Sequence, residues 1–217
     1  MSSSESSLIT LPVRRHSHFY PQVRRLLAEA FPPAELIPEW VMNALALRRS
    51  FDFTAYFDPE EPSGFCGVTF TIHSDDLLFV VFLATNPALR SRGYGTRILD
   101  QLKERFPGFA IALEIEPMTT DASNFHQRER RLAFYQRNGF VETGLYTDYE
   151  GDQYEVLRYL PSRLPGEAHQ GMQYADLGVL RSSLEELLAS LAIPVYIPTI
   201  HVGIWEYPRP RLRERVW

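Results

Sequence analysis

Apolar and polar positions along this chain follow two periods, and each change of period marks a new element. FDFTAYFD, 51–58, alternates as a strand does; DPEEPSG reads as a turn, and FCGVTFTIH returns as the paired strand. Residues 77–84 are apolar without a break, the mark of a strand buried on both faces, and FAIALEIEP reads the same way. Helical spacing joins Phe19, Val23, Leu26, Leu27 and Ala30 ahead of Pro32-Pro33, and IPEWVMNALALRR reads as a second, short helix. A helix over 95–106 gathers Ile98, Leu99, Leu102 and Phe106 on one face and stops at Pro107. After the polar loop MTTDASNFHQ, another helix carries Leu132 and Tyr135 and closes on Asn138-Gly139. With a first strand at 8–13 and two last ones at 140–146 and 153–159, the order is β-α-α-β-β-β-α-β-α-β-β. That predicts a mixed α/β fold with a central sheet of about seven strands and a crossover helix between two central ones. Residues 1–160 form the expected domain. Residues 161–217 form an extension: a linker, an amphipathic helix over 174–191, and an apolar, aromatic tail that turns arginine-rich.

Composition narrows the picture. Of 217 residues, 45% are hydrophobic and 23% charged, enough to build a core for one domain with an appendage. A net charge of -5 argues against a general nucleic-acid binder. Lys103 is the single lysine among 22 basic residues, a bias we read as compositional and not as a phosphate-binding surface. The lone Cys66 permits no intrachain disulfide and suggests no redox or zinc pair, and no metal-ligand spacing appears. MSSSESSLIT lacks the basic start and apolar core of a secretory signal, and no run approaches the roughly 20 apolar residues that span a bilayer. A cytoplasmic protein without membrane contact is expected.

The most informative stretch is LATNPALRSRGYGTRIL, 83–99, where a buried strand ends in Arg90-Ser91-Arg92-Gly93-Tyr94-Gly95-Thr96 and flows into a helix. Glycine in a helix interior costs about 1 kcal/mol against alanine, so its presence here needs a reason. A helix N-terminus offers amides without intrahelical partners and a positive dipole end, a ready site for phosphate. The alternative is that Gly93 and Gly95 only shape a tight turn. Gly-Lys-Ser/Thr is absent, and Ile98 stands where a third dinucleotide-type glycine would be.

This stretch resembles the acetyl-CoA signature of the GNAT N-acetyltransferase superfamily, a strand followed by Arg-x-x-Gly-x-Gly/Ala and a helix. RRLAFYQRNGF, 130–140, resembles the same superfamily's later helix, which ends in Tyr-x-x-x-Gly-Phe. Both lie in the right order, and the element order of 8–160 is also the superfamily's. The resemblance implies that Arg90, Ser91, Arg92, Gly93, Tyr94, Gly95 and Thr96 hold the diphosphate of acetyl-CoA. It implies that Leu83 and Thr85 bond the pantetheine arm through their backbones, and that Tyr135 contacts the cofactor and is the acid for the thiolate. It implies direct transfer of an acetyl group to a primary amine in a ternary complex.

The resemblance makes Glu114 the first candidate for the base, with Glu116 on the same strand face or a water chain as alternatives, against the reading that one or both carboxylates cap a helix or pair with an arginine. The asparagine often found seven before the tyrosine is Arg128 here, and Asn124 is the substitute considered. His73 and His126 tempt as catalytic groups, with ordinary surface roles as the alternative; Cys66 is expected in the core. The resemblance implies an acceptor entrance between the first two helices and the last hairpin, where a rim of Glu35, Glu39, Trp40, Asp148, Tyr149, Glu150 and Asp152 would suit a cationic small-molecule or peptide amine, against an ordinary acidic surface. The tail, with Ile193, Val195, Tyr196, Ile197, Ile200, Val202, Ile204 and Trp205, is expected to pack back on the domain, line the acceptor site or form a homodimer contact. Rival readings are a longer acyl donor, a non-catalytic acyl-CoA-binding or interaction module, and a nucleotide-phosphate binder.

Overall fold

The computed structural model describes residues 7–61, 64–119, 122–161, 170–191 and 198–202. The apolar runs become strands: β1 (Ile9–Pro12), β2 (Phe51–Phe57), β3 (Phe65–His73), β4 (Leu77–Thr85) and β5 (Ala110–Ile115), then β6 (Val141–Tyr149), β7 (Asp152–Tyr159) and β8 (Thr199–Val202). The helices are α1 (Tyr20–Ala30), α2 (Glu39–Leu45), α3 (Tyr94–Arg105), α4 (Phe125–Arg137) and α5 (Leu177–Ala189). The eight strands form one sheet in the order β1-β2-β3-β4-β5-β7-β6-β8, one strand more than expected. Only β4 and β5 are parallel, joined across α3.

Helix faces follow the apolar spacing. α1 starts with a proline in its first turn, where no amide partner is lost, and ends where Phe31 turns extended before two prolines. Its Tyr20, Val23, Leu26 and Leu27 pack with Met42 and Leu45 of α2 and Leu180, Leu184, Leu187 and Leu188 of α5 on one face of the sheet. Leu99 and Leu102 of α3 and Tyr135 of α4 cover the other face with Leu78, Val80, Ile111, Leu113 and Ile115. α5 is capped by Asp176, whose carboxylate accepts from the amides of Gly178 (2.8 Å) and Val179 (3.1 Å).

The extension is therefore built into the sheet and core. Tyr174 donates to Asp76 at 2.5 Å, and β8 pairs with β6 from Leu145↔Val202 to Asp148↔Thr199. Of the apolar tail residues, Ile200 is buried and Val202 exposed. Ile193, Val195, Tyr196, Ile197, Ile204 and Trp205 lie outside the described residues.

Two features of β4 shape the site. Its pairing with β5 runs only from Leu77↔Ala110 to Val80↔Leu113, after which the two strands part. Its register with β3 slips there too, Phe70 facing Phe82 and Thr71 facing Val80, so Val81 is a bulge.

Candidate active site

Below the parting of β4 and β5, one edge of β4 has no strand beside it. The amide of Asn86 donates to the carbonyl of Cys66 at 2.8 Å. With the register Val68↔Ala84 and Phe70↔Phe82, that bond makes these two pairs the mutually bonded ones. Leu83 and Thr85, which alternate with them, therefore turn their backbone N–H and C=O groups to the open side.

β4 leads through a 3₁₀ turn, Pro87–Leu89, into α3, whose N-cap is Gly93 at φ 80° with no side-chain cap. Ser91 is also left-handed, at φ 62°. Among the described residues, none of the backbone amides from Ser91 to Thr96 donates to a protein acceptor. The two glycines serve different ends. Gly93 has open space where a Cβ would be, and its left-handed backbone is what requires glycine. A Cβ on Gly95 would lie 2.9 Å from Cζ of Phe134, so Gly95 makes room for α4 against α3.

The side chains of the turn part ways. Arg90, Ser91 and Thr96 are exposed. Arg92 pairs with Glu61, while Tyr94 is 5% exposed and bonds Asp58 and Glu61 with its hydroxyl. Nothing in the turn DPEEPSG foretold these two acids; only the β2–β3 hairpin brings them beside α3.

Glu114 and Ile115 are neighbours on β5 and so face opposite sides. Ile115 packs on the α3–α4 side with Tyr135, and Glu114 faces the α1–α5 side. Burial pushes the Glu114 carboxyl up to about 7, against hydrogen bonds from Thr147 and Tyr149 that favour its charged form. Tyr149 donates to Oε1 at 3.1 Å and Oε2 at 3.0 Å. Tyr135 lies against Phe134 and Phe140, ring centroids 5.0 and 5.6 Å away. Burial pushes its hydroxyl up to about 12, offset in part by Arg131. That hydroxyl has no hydrogen-bond partner among the described residues, yet it is not sealed from solvent.

Glu116 has a different fate. It accepts from Asn124 at 3.0 Å and pairs with Arg128 at 3.0 Å and Arg131 at 2.8 Å, tying β5 to α4. Asn124 and Arg128 thus close one ion network with Glu116.

A cavity of about 1410 Å³ opens on the Glu114 side of the parted strands. Glu35, Tyr149, Glu150, Asp152 and Tyr154 line it, together with Phe31, Phe82 and, from the extension, Leu188 and Leu191. Burial raises the carboxyl of Glu35, which a hydrogen bond from Tyr154 partly offsets. Three members of the expected rim lie elsewhere. Glu39 pairs with Arg24 at 2.5 Å, Trp40 is 76% exposed on α2, and Asp148 accepts from the amide of Gly151 within the hairpin turn. His16, His18 and His126 are exposed, and His73 lies against Phe106 with the two rings tilted by 51°. Cys66 is buried, with its thiol pushed up to about 11, an unreactive state. Among the described residues no cluster of three or more His, Cys, Asp or Glu could hold a metal ion, and no helix is long and apolar enough to cross a membrane.

Residues 50–142 match the family model of the acetyltransferase (GNAT) domain. That stretch, running from β2 into β6, is similar to a GNAT acetyltransferase domain. A protein from Bacteroides thetaiotaomicron assigned to the GNAT acetyltransferases shares 27% identity, covering 77% of this chain and 94% of that one, with a TM-score of 0.59. An aminoglycoside 6'-N-acetyltransferase solved with coenzyme A superposes at a TM-score of 0.56 and 17% identity, covering 72% and 99%. A Bacillus subtilis acetyltransferase solved with CoA gives 0.51 and 13%, covering 71% and 99%. No curated protein matches the sequence.

The acetyl donor of GNAT domains is acetyl-CoA, and the donor set here fits such a ligand: unmet amides at a helix N-terminus suit a diphosphate, and the open edge of β4 suits an amide-bearing arm. The turn also carries less free charge than its two arginines suggest, since Arg92 is already paired.

Proposed function

We propose that this protein transfers an acetyl group from acetyl-CoA to a primary amine, by direct attack in a ternary complex. The observation that carries the reading is the parting of β4 and β5, with Tyr135 on one side of the gap and Glu114 on the other. In this reading the amides of Ser91 to Thr96, with Arg90 and Arg92 nearby, receive the diphosphate, and the backbones of Leu83 and Thr85 bond the pantetheine arm. Acetyl-CoA supplies a thioester carbonyl open to attack.

An alkylammonium of pKa near 10.4 is neutral in only about one molecule in 10³ at pH 7. Glu114, titrating about 7, takes the ammonium proton within the cavity. The amine nitrogen then bonds to the acetyl carbon and the C–S bond breaks. Tyr135, protonated at neutral pH, donates a hydrogen bond to the departing thiolate. The proton shed by the new amide nitrogen balances the one the sulfur gains. Glu35, Asp152, Tyr149 and Tyr154 give the cavity an acidic, aromatic lining that favours a cationic acceptor, small molecule or peptide. Action in the cytoplasm belongs to the same proposal.

Thermal unfolding with acetyl-CoA, and with ATP as control, tests the cofactor. A ligand at 100 times its dissociation constant adds about 2.7 kcal/mol. Stabilisation by acetyl-CoA alone, followed by amine-dependent release of coenzyme A, is the expected result. No stabilisation would overturn the reading.

A further inference from the structure

Asp58 and Glu61, in the turn between β2 and β3, take no part in the chemistry above, yet they are only 3% and 9% exposed. Besides the Glu60 amide, which donates to Asp58 Oδ1 at 3.0 Å, their side-chain partners among the described residues come from the turn into α3 and the first turn of that helix. The Tyr94 hydroxyl is shared between Asp58 Oδ2 at 3.0 Å and Glu61 Oε1 at 2.8 Å. Arg97 Nη1 donates to Asp58 Oδ2 at 2.7 Å, and its guanidinium lies 4.9 Å from the centre of the Tyr94 ring. Arg92 grips both oxygens of Glu61, with Nη1 3.0 Å from Oε2. The hydrogen bond from Arg97, ahead of that from the Glu60 amide, holds the Asp58 carboxyl below its ordinary range despite burial.

The turn these bonds reach has little reason of its own to keep its shape. Ser91 stands at φ 62°, a conformation costing about 1–2 kcal/mol for a residue with a side chain. The N-cap glycine supplies no capping oxygen, and the amides from Ser91 to Thr96 lack protein acceptors among the described residues. Such a turn gains by collapsing onto any acceptor within reach. What opposes collapse is the attachment of residues 92, 94 and 97 to two buried carboxylates on a neighbouring hairpin.

We propose that Asp58 and Glu61 are positioning residues for acetyl-CoA binding, clasping Tyr94, Arg92 and Arg97 so that the turn is held open for the diphosphate before the ligand arrives. This rests on the cofactor reading given above. A competing role has the opposite sign: if Glu61 only withholds Arg92 from the phosphates, its removal tightens binding. If the pair only stabilises the fold, its removal weakens every ligand alike.

The test is calorimetric titration of the full chain with coenzyme A and, separately, with S-acetylpantetheine, which has the thioester arm but no diphosphate. Wild type, Glu61→Gln, Asp58→Asn and Tyr94→Phe are compared at a temperature where circular dichroism shows each folded. Tyr94→Phe removes one oxygen and keeps the ring, so it serves if a carboxylate variant does not fold. The expected result is a tenfold or greater loss of affinity for coenzyme A with the affinity for S-acetylpantetheine unchanged. Unchanged or tighter binding of coenzyme A, or equal losses for both ligands, would overturn the clasp while leaving the cofactor reading intact. Failure of the wild type to bind coenzyme A would sink that reading and the clasp together.

Discussion

A carboxyl group taken out of water favours its protonated form, and in this chain Glu114 and Glu155 are both pushed up to about 7. They should report in different assays. Glu114 faces the cavity, so activity is expected to rise with pH through an apparent pKa near 7, and Glu114→Gln to abolish that limb with a 10²-fold or greater loss of kcat; an unchanged profile would remove Glu114 from the role of base. Glu155 sits on β7 opposite Tyr146, where burial first and the charge of Glu142 second raise its carboxyl. Because its folded-state pKa lies above its unfolded one, the native protein binds the extra proton between roughly pH 4.5 and 7. Stability from this group is full below that window and lost as pH rises through it. Glu155→Gln should therefore raise the melting temperature at pH 8 and leave it little changed at pH 4, as calorimetry can check. Tyr135→Phe should lower kcat about 10²-fold while the affinity for coenzyme A stays the same. The sequence singled out Glu114, Glu116 and Tyr135 because they sit on recognisable elements. It did not separate the two glutamates: their fates differ through Tyr149, 35 residues on, and through Arg128 and Arg131 on α4.

At the scale of elements, the passage from β4 to α3 was legible because its signals are local: an apolar run, Asn-Pro, two arginines, two glycines. What each glycine does was not, since Phe134 reaches Gly95 from another helix. Gly95→Ala forces that ring or α3 to move and should cost about 1–3 kcal/mol, measured by urea unfolding. A loss below about 0.5 kcal/mol would show that the two helices have slack. The clasp was illegible for the same reason: DPEEPSG carries every mark of a solvated turn, and only the pairing of β2 with β3 brings its acids under α3. The Val81 bulge left no trace in a run where every residue is apolar, yet it places both Val81 and Phe82 on the cavity side.

Across the whole molecule, the expected order of elements in 8–160 is the observed one, and the family match falls within it at residues 50–142. The pattern of the 161–217 extension gives a linker, a helix and an apolar tail but not where they sit. Its strand β8 is too short, and its partner β6 too distant in sequence, for the pattern to reveal. Leu184 of α5 is fully buried in the core shared with α1 and α2, so Leu184→Ala should cost about 2–5 kcal/mol. Truncation after residue 161 should leave a chain that binds hydrophobic dyes and precipitates; a soluble, cooperatively melting fragment would show that the first 161 residues suffice. The late arrival of α5 also bears on synthesis. As the polypeptide leaves the ribosome, Phe51, Phe70 and Val156 belong to a sheet face that stays partly bare until the leucines of α5 emerge. Arg48 must likewise wait for the carbonyl of Ser190, its partner 142 positions later. Such a nascent chain shows apolar surface for most of its elongation. Its closing contacts form only once α5 and β8 have been translated, so that sheet face has to wait for segments more than a hundred positions downstream of β2 and β3.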